Sequence, residues 1–283
     1  MGPKQNPFSL YDFLGYFVPG AFLLYALLLS WSHVHSSNSA LNLESIPKYL
    51  SFEKPEIYVP FIILSYVVGH MLSFLSAITI EQYSIWRFDY PSKFLLGLPY
   101  RGYYYAASNK KLHVVVRTLV WIIILPVSLL EFLCGKICGM RFFYTKKLDD
   151  LLADIIRNKI AAMLPQYAEI RDPEKQGHAK GYDFFRYVYH YAVENAPNHL
   201  PKMQNYVALF GFLRTITLIL VFFFWVIAYH VVSGMLPIIA GIIYLLSFAL
   251  FAYIFFMGFA KFYRRFSLEA LMATTVVYKG PLN

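Results

Sequence analysis

Four stretches of this chain are apolar for longer than the core of a soluble domain requires. They run from about Phe8 to Trp31, Tyr58 to Ile80, Tyr206 to His230 and Pro237 to Ala260. A helix needs about 20 apolar residues to cross the hydrocarbon of a bilayer. In hydrocarbon the backbone must satisfy its own hydrogen bonds, which leaves helices or closed barrels. Only 14% of the residues are charged, against roughly 25% in a soluble domain. The expected fold class is therefore an all-α integral membrane protein. Four transmembrane helices are expected, with a helical cytoplasmic domain between the second and third.

Charge sets the expected orientation. The loop from His33 to Glu56 carries two Lys and three Glu. The region from Glu81 to Lys202 carries 17 Lys plus Arg against 11 Asp plus Glu, a balance of +6. Basic residues stay on the cytoplasmic side, so this region and both termini are expected there. The expected domains are a hairpin over 1–80, a basic domain over 81–204, a second hairpin over 205–263 and a cytoplasmic tail over 264–283. A cleaved signal peptide is the alternative reading of the first stretch, with Ser37-Asn-Ser-Ala40 as its cleavage region. A lone Lys4 and the length of the apolar run favour a retained helix.

Local patterns refine this layout. Ser9 to Asp12 reads as a capping box, and Pro19-Gly20 predicts a kink in the first span. In the second span Ser65, Gly69, Ser73 and Ala77 recur every four residues. That stripe suits close helix packing, within a subunit or between subunits. The segment Thr118–Cys134 is apolar but short, and Pro126 and Glu131 interrupt it. Were it to span, the basic residues after it would lie outside, so it reads as re-entrant, interfacial or domain core. From Lys147 to Leu164 an apolar stripe (Leu148, Leu151, Leu152, Ile155, Ile156, Ile160) predicts an amphipathic helix able to dock on a partner surface. Arg171 to Gly181 reads as a loop, Tyr182 to Glu194 as a helix, and a further helix starts near Pro201. Arg214 is expected to snorkel to the headgroups.

Enzyme signatures are missing: no Walker A loop, no Gly-x-Gly-x-x-Gly, no His-Glu-x-x-His and no Gly-x-Ser-x-Gly. Asp149, Asp150 and Asp154 could gather a divalent cation, but their place on a polar helix face favours solvation or pairing. His33 and His35 read as loop histidines. Cys134 and Cys138, four residues apart, read as free thiols. No cofactor is expected. Polar residues at membrane depth say more, because hydrocarbon makes them costly. His70 is either a pore or relay residue or an imidazole bonded across a helix interface. Asp12 reads as a cap and Glu81 as the inner end of span two, and Glu131 needs a partner if buried. Arg101, Lys110 and Lys111, and then Arg141, Lys146 and Lys147, alternate with Tyr and Phe. Such runs hold an anionic ligand, either a headgroup or a nucleic acid.

Two segments, Tyr11-Asp-Phe-Leu-Gly-Tyr-Phe-Val-Pro-Gly and Lys261-Phe-Tyr-Arg-Arg-Phe-Ser-Leu-Glu-Ala-Leu, carry a resemblance. Together with the overall layout, they resemble multi-pass inner-membrane effectors of bacterial anti-phage defence operons, such as the membrane subunit of the Hailong system. The resemblance implies a homo-oligomeric channel in the bacterial inner membrane. It also implies control by a nucleotide signal, such as a DNA oligomer, made by a partner enzyme. It transfers no site residue. Beside this reading stand a membrane enzyme acting on lipid-like substrates near Glu131, and a scaffold for a soluble partner.

Overall fold

The computed structural model describes residues 12–35, 55–98, 100, 102–104, 111–165 and 184–280. Among these the secondary structure is entirely helical, and four helices are long and apolar enough to cross a membrane. Helix α1 opens with a π-turn, Phe13–Phe17, and continues over Val18–His35. Pro19 has no N–H to offer the carbonyl of Gly15, so the ladder there widens rather than staying strictly α. The expected kink thus takes the form of a π-turn just before Pro19. His33 and His35 belong to the last turn of this helix, not to a loop. Ser9 and the segment 36–54 lie outside the described residues.

Helix α2 is Pro55–Ser76, followed without a break by a π-turn, Ala77–Glu81, and by Gln82–Phe88. A short helix α3, Pro91–Leu95, starts on a proline. Helix α4, Lys111–Ile123, and helix α5, Leu125–Leu130 with a π-turn Glu131–Ile137, meet at 86°. Pro126 accounts for the bend, since it cannot donate to the carbonyl of Ile122 and its ring excludes a straight helix. A 3-10 turn, Met140–Phe143, then leads to helix α6, Asp150–Met163, and helix α7, Phe184–Asn195. Helix α8, Leu200–Val232, and helix α9, Ile238–Val277, form the last hairpin. The tight turn between them passes through Gly234 at φ +73°, a left-handed conformation that suits glycine.

Two packed regions share α9. Along the apolar part, α8 and α9 bury Ile219, Val221, Ala252, Phe256 and Phe259, α2 and its continuation add Ile80 and Tyr83, and α4, the bend and α5 add Val120, Ile124 and Val127. The other region lies at the end opposite the Gly234 turn, called here the domain end. There Leu95, Leu96, Ile156, Ile160, Phe184, Val188 and Leu271 form a separate core. The residues expected as a tail from 264 onward are therefore helix as far as Val277, and this part of α9 is the post on which α3, α6 and α7 pack. Thr274 Oγ1 donates to Val188 O at 2.9 Å and Lys159 Nζ to Tyr278 O at 2.8 Å. The amphipathic stripe of α6 is largely used inside the chain: Ile156 and Ile160 are buried, and Leu151 and Ile155 are left exposed.

The stripe on α2 packs against α1. A Cβ on Gly69 would collide with the backbone carbonyl of Tyr16, and one on Gly20 with the carbonyl of Ser65. Both obstacles are backbone atoms that cannot rotate away. Gly69→Leu is therefore expected to destabilise the chain by about 1–3 kcal/mol through overpacking. A lower thermal unfolding midpoint in detergent checks this, and an unchanged midpoint would mean that α1 and α2 are not packed there.

A carboxylate links the start of α8 to α9. Glu269 receives Lys202 Nζ at 2.7 Å and His199 Nδ1 at 2.8 Å. Burial opposes its ionisation, but these two hydrogen bonds outweigh it and hold the carboxyl below its usual value. A depressed folded pKa contributes stability that is present above the unfolded value, about 4.3 for Glu, and is lost as pH falls through the folded value. An acid titration of unfolding should show that loss, and Glu269→Gln should flatten it.

Candidate functional site

Inside the bundle the charges answer one another in two networks. The first centres on Arg214, which is 8% exposed. Its Nε donates to Ser76 Oγ at 3.0 Å, and its Nη2 lies 3.2 Å from both Ser73 O and Ser73 Oγ. Nη1 is ion-paired with Glu81. Ser76 and Thr215 share a further contact at 3.4 Å. The expected snorkelling of Arg214 is thus corrected. A buried guanidinium has five donors to satisfy, and α2 supplies acceptors at 73, 76 and 81 on one side of the helix. Glu81 is the counter-ion of that guanidinium.

The second network centres on Glu131, 1% exposed, in the π-turn of α5. Arg87 Nε donates to its Oε2 at 2.9 Å, and Arg141 Nε donates to its Oε1 at 2.6 Å. Three separate pieces of chain meet here: the end of α2, the limb α5 and the 3-10 turn. Phe88, Tyr144, Phe256 and Tyr83 wall the group with rings 5.7–6.4 Å apart. Arg141 also lies over the Phe88 ring at 5.5 Å, a cation–π contact. Gly135 makes the approach possible, because a Cβ there would meet Tyr144 Oη at 2.6 Å and Glu131 Oε1 at 3.1 Å.

The other limb of the bent pair is tied to the neighbouring residue. Arg117 of α4 lies 4.9 Å over the Trp86 ring, and Tyr103 Oη donates to Arg117 O at 2.9 Å. Tyr100 Oη donates to Trp86 O at 2.6 Å, and burial pushes this phenol up to about 12. The two limbs thus meet α2 at adjacent positions, Trp86 and Arg87. Between them the bend reaches α8, where Trp225 Nε1 donates to Ile123 O at 2.7 Å. Trp225 lies eleven residues beyond Arg214, about 16 Å along the helix. The segment goes out and returns to one level of α2.

The remaining candidates fall in different places. Ser65 and Gly69 face α1, Ser73 faces Arg214, and Ala77 opens the π-turn of α2. His70 is exposed, stacked on Tyr16 at 3.8 Å between ring centres and edge-on to Tyr66 at 4.5 Å. Arg141 is committed to Glu131, whereas Lys146 and Lys147 are exposed side by side, and Lys111 stands apart at the start of α4. Arg101 and Lys110 lie outside the described residues. Asp149 caps α6 by accepting from Leu152 N at 2.9 Å, and Asp154 pairs with Arg157. Among the described residues no group of three or more His, Cys, Asp or Glu could hold a metal ion, and both cysteines are free thiols.

No family model, no curated protein and no solved structure matches the chain.

Both networks make sharp predictions. Glu131→Gln removes the charge that two guanidinium groups share and should cost about 3 kcal/mol, the low end for a broken buried pair because both arginines are partly exposed. Replacing Arg214 alone by Leu should likewise destabilise, since Glu81 loses its counter-ion. Changing Arg214 and Glu81 together should restore much of the loss. Thermal unfolding of the two singles and the double gives the coupling. Additive losses would show that the pair does not interact.

Proposed function

We propose that this chain is the subunit of an oligomeric membrane channel, gated through the helices of the domain end. The observation that carries the reading is the exposure of His70. It sits in mid-helix on a face whose neighbours Val67, Met71 and Phe74 are 48%, 61% and 66% exposed. Hydrocarbon suits those three side chains but not an imidazole, which has ring contacts to Tyr16 and Tyr66 and no hydrogen bond among the described residues. A second copy, or a water-filled path between copies, resolves the conflict. His70, Tyr16 and Tyr66 then stand at a seam or lining, and Arg214 fixes α2 from Ser73, about one turn away, to Glu81, about three turns away.

The alternatives have weaker support. A lipid-transforming enzyme needs a catalytic carboxyl group within reach of its substrate, and Glu131 is 1% exposed behind an aromatic wall. A scaffold needs a free docking stripe, and most of the α6 stripe is in the core. The resemblance to anti-phage effectors supplies the rest of the proposal. It puts the channel in a bacterial inner membrane, with a nucleotide or DNA oligomer from a partner enzyme as its signal, and the charge balance of the sequence puts both termini in the cytoplasm.

Planar-bilayer recording of the purified chain tests this reading. Conductance steps are expected, altered in amplitude or open time by His70→Phe, and increased by short DNA oligomers. Silence across ion types, with and without oligomers, overturns the channel. A monodisperse monomer in lipid nanodiscs would overturn the oligomer.

A further inference from the structure

The surface that leaves the α5 limb is used by neither network. Along α5 the residues Leu129, Phe132, Leu133 and Ile137 are 42–65% exposed and share one helix face. The chain then turns through Phe142 and Phe143, 61% and 56% exposed, with ring centres 4.0 Å apart. Cations rim this apolar strip. Lys136 lies over the Phe132 ring at 5.5 Å, and Lys146 and Lys147 are exposed just past the turn. Arg264 Nε donates to Lys146 O at 2.6 Å, which brings a further cation, with Arg265 next to it, to the same edge. Burial and the charge of Arg265 hold the Arg264 pKa below its usual value.

We propose that the segment Lys136–Lys147 is a docking surface for a lipid leaflet that contains anionic headgroups. Ile137, Phe142 and Phe143 enter the boundary between headgroups and acyl chains. Lys136, Lys146 and Lys147 meet the phosphates. Two observations select a leaflet as the occupant. The apolar strip continues the exposed face of α5, so the same hydrocarbon can cover both. The exposed lysines flank the two rings in sequence, Lys136 before Phe142 and Phe143 and Lys146 and Lys147 after them, so that phosphates can be met on either side of an apolar turn. Arg141, immediately before the two rings in sequence, is paired with Glu131, so the docking turn is tied to the buried network.

Spin labelling of the full chain tests the proposal. With Cys134 and Cys138 changed to Ala, a nitroxide is placed at Phe143→Cys, at Ile62→Cys as an apolar reference and at Asn158→Cys as a solvent reference. Vesicles contain phosphatidylcholine with or without phosphatidylglycerol. The label at 143 should collide with oxygen several-fold more than with a water-soluble nickel complex, relative to the label at 158. The preference should shrink in K146Q/K147Q and in high salt. Access to nickel equal to that at 158, or exclusion of both reagents, overturns the proposal. So does protection that appears only with an added single-stranded DNA oligomer, which would assign the turn to nucleic acid. Hydrogen exchange over 137–147 in the unmodified chain gives an independent reading: slower exchange is expected in vesicles with phosphatidylglycerol than without. Identical exchange in the two counts against the surface. Loss of channel current alone would leave these readouts unchanged.

Discussion

Glu131 is the point at which three distant pieces of the chain are forced to agree. Its carboxylate is 1% exposed, and leaving a charge unpaired in that setting costs about 3–5 kcal/mol. Arg87 and Arg141 must therefore arrive together, from 44 and 10 residues away. Once they do, the end of α2, the returning limb of the bent pair and the turn before α6 have little freedom left. Neighbouring Trp86 receives Arg117 from the other limb, so a single turn of α2 fixes both ends of the bend. Hydrophobic burial gives α4 and α5 a place to rest, but it does not choose an orientation. The ion pairs do.

The same rule governs Arg214 one level further along α2. Its hydrogen bonds to Ser73 and Ser76, and its ion pair with Glu81, join α2 to α8, where apolar contacts alone would allow sliding. Lipid tails resemble leucine too closely to drive helix association by the hydrophobic effect, so close packing and polar contacts do that work. Both devices occur on α2: Gly69 admits α1, and four residues later Ser73 meets Arg214. What looks like one stripe of small residues serves two different neighbours.

This division explains how much the sequence allowed one to read. The four long apolar helices were legible because about 20 residues without charge have few other uses. The start of α8 at its proline and the break near Pro126 were legible from backbone chemistry alone. Arg214 was misread because its distance from the end of the apolar run permits snorkelling. Choosing between snorkelling and pairing requires the partner helix. The signal was nonetheless present in Ser73, Ser76 and Glu81, which recur at spacings of three and five. The partners of Glu131 were hidden for another reason: several arginines and lysines are equally plausible until folding brings Arg87, 44 residues away, and Arg141, 10 residues away, within reach. The helical continuation to Val277 was missed because the KFYRR cluster looks like an anchor at which a span ends. A membrane boundary is not a helix boundary, and the backbone there keeps its hydrogen bonds while the side chains change solvent.

One helix therefore carries the proposed seam and both charge networks. From His70 to Arg87 there are 17 residues of α2, about 25 Å of continuous helix. Within them lies the π-turn Ala77–Glu81, where one ladder step is widened and a small rotation is less costly than in strict α geometry. Glu81 closes that turn and is also the counter-ion of Arg214. In the proposed gating, a shift of the domain end would act on Arg87 and Trp86 first. It reaches His70 only through a segment whose rotation would strain the Arg214 contacts. Such an arrangement favours two discrete positions over a continuum, because a buried guanidinium is either fully met by its acceptors or much less stable. In the proposed channel that is the property a gate would need, and it would arise from the same desolvation cost that holds the fold together.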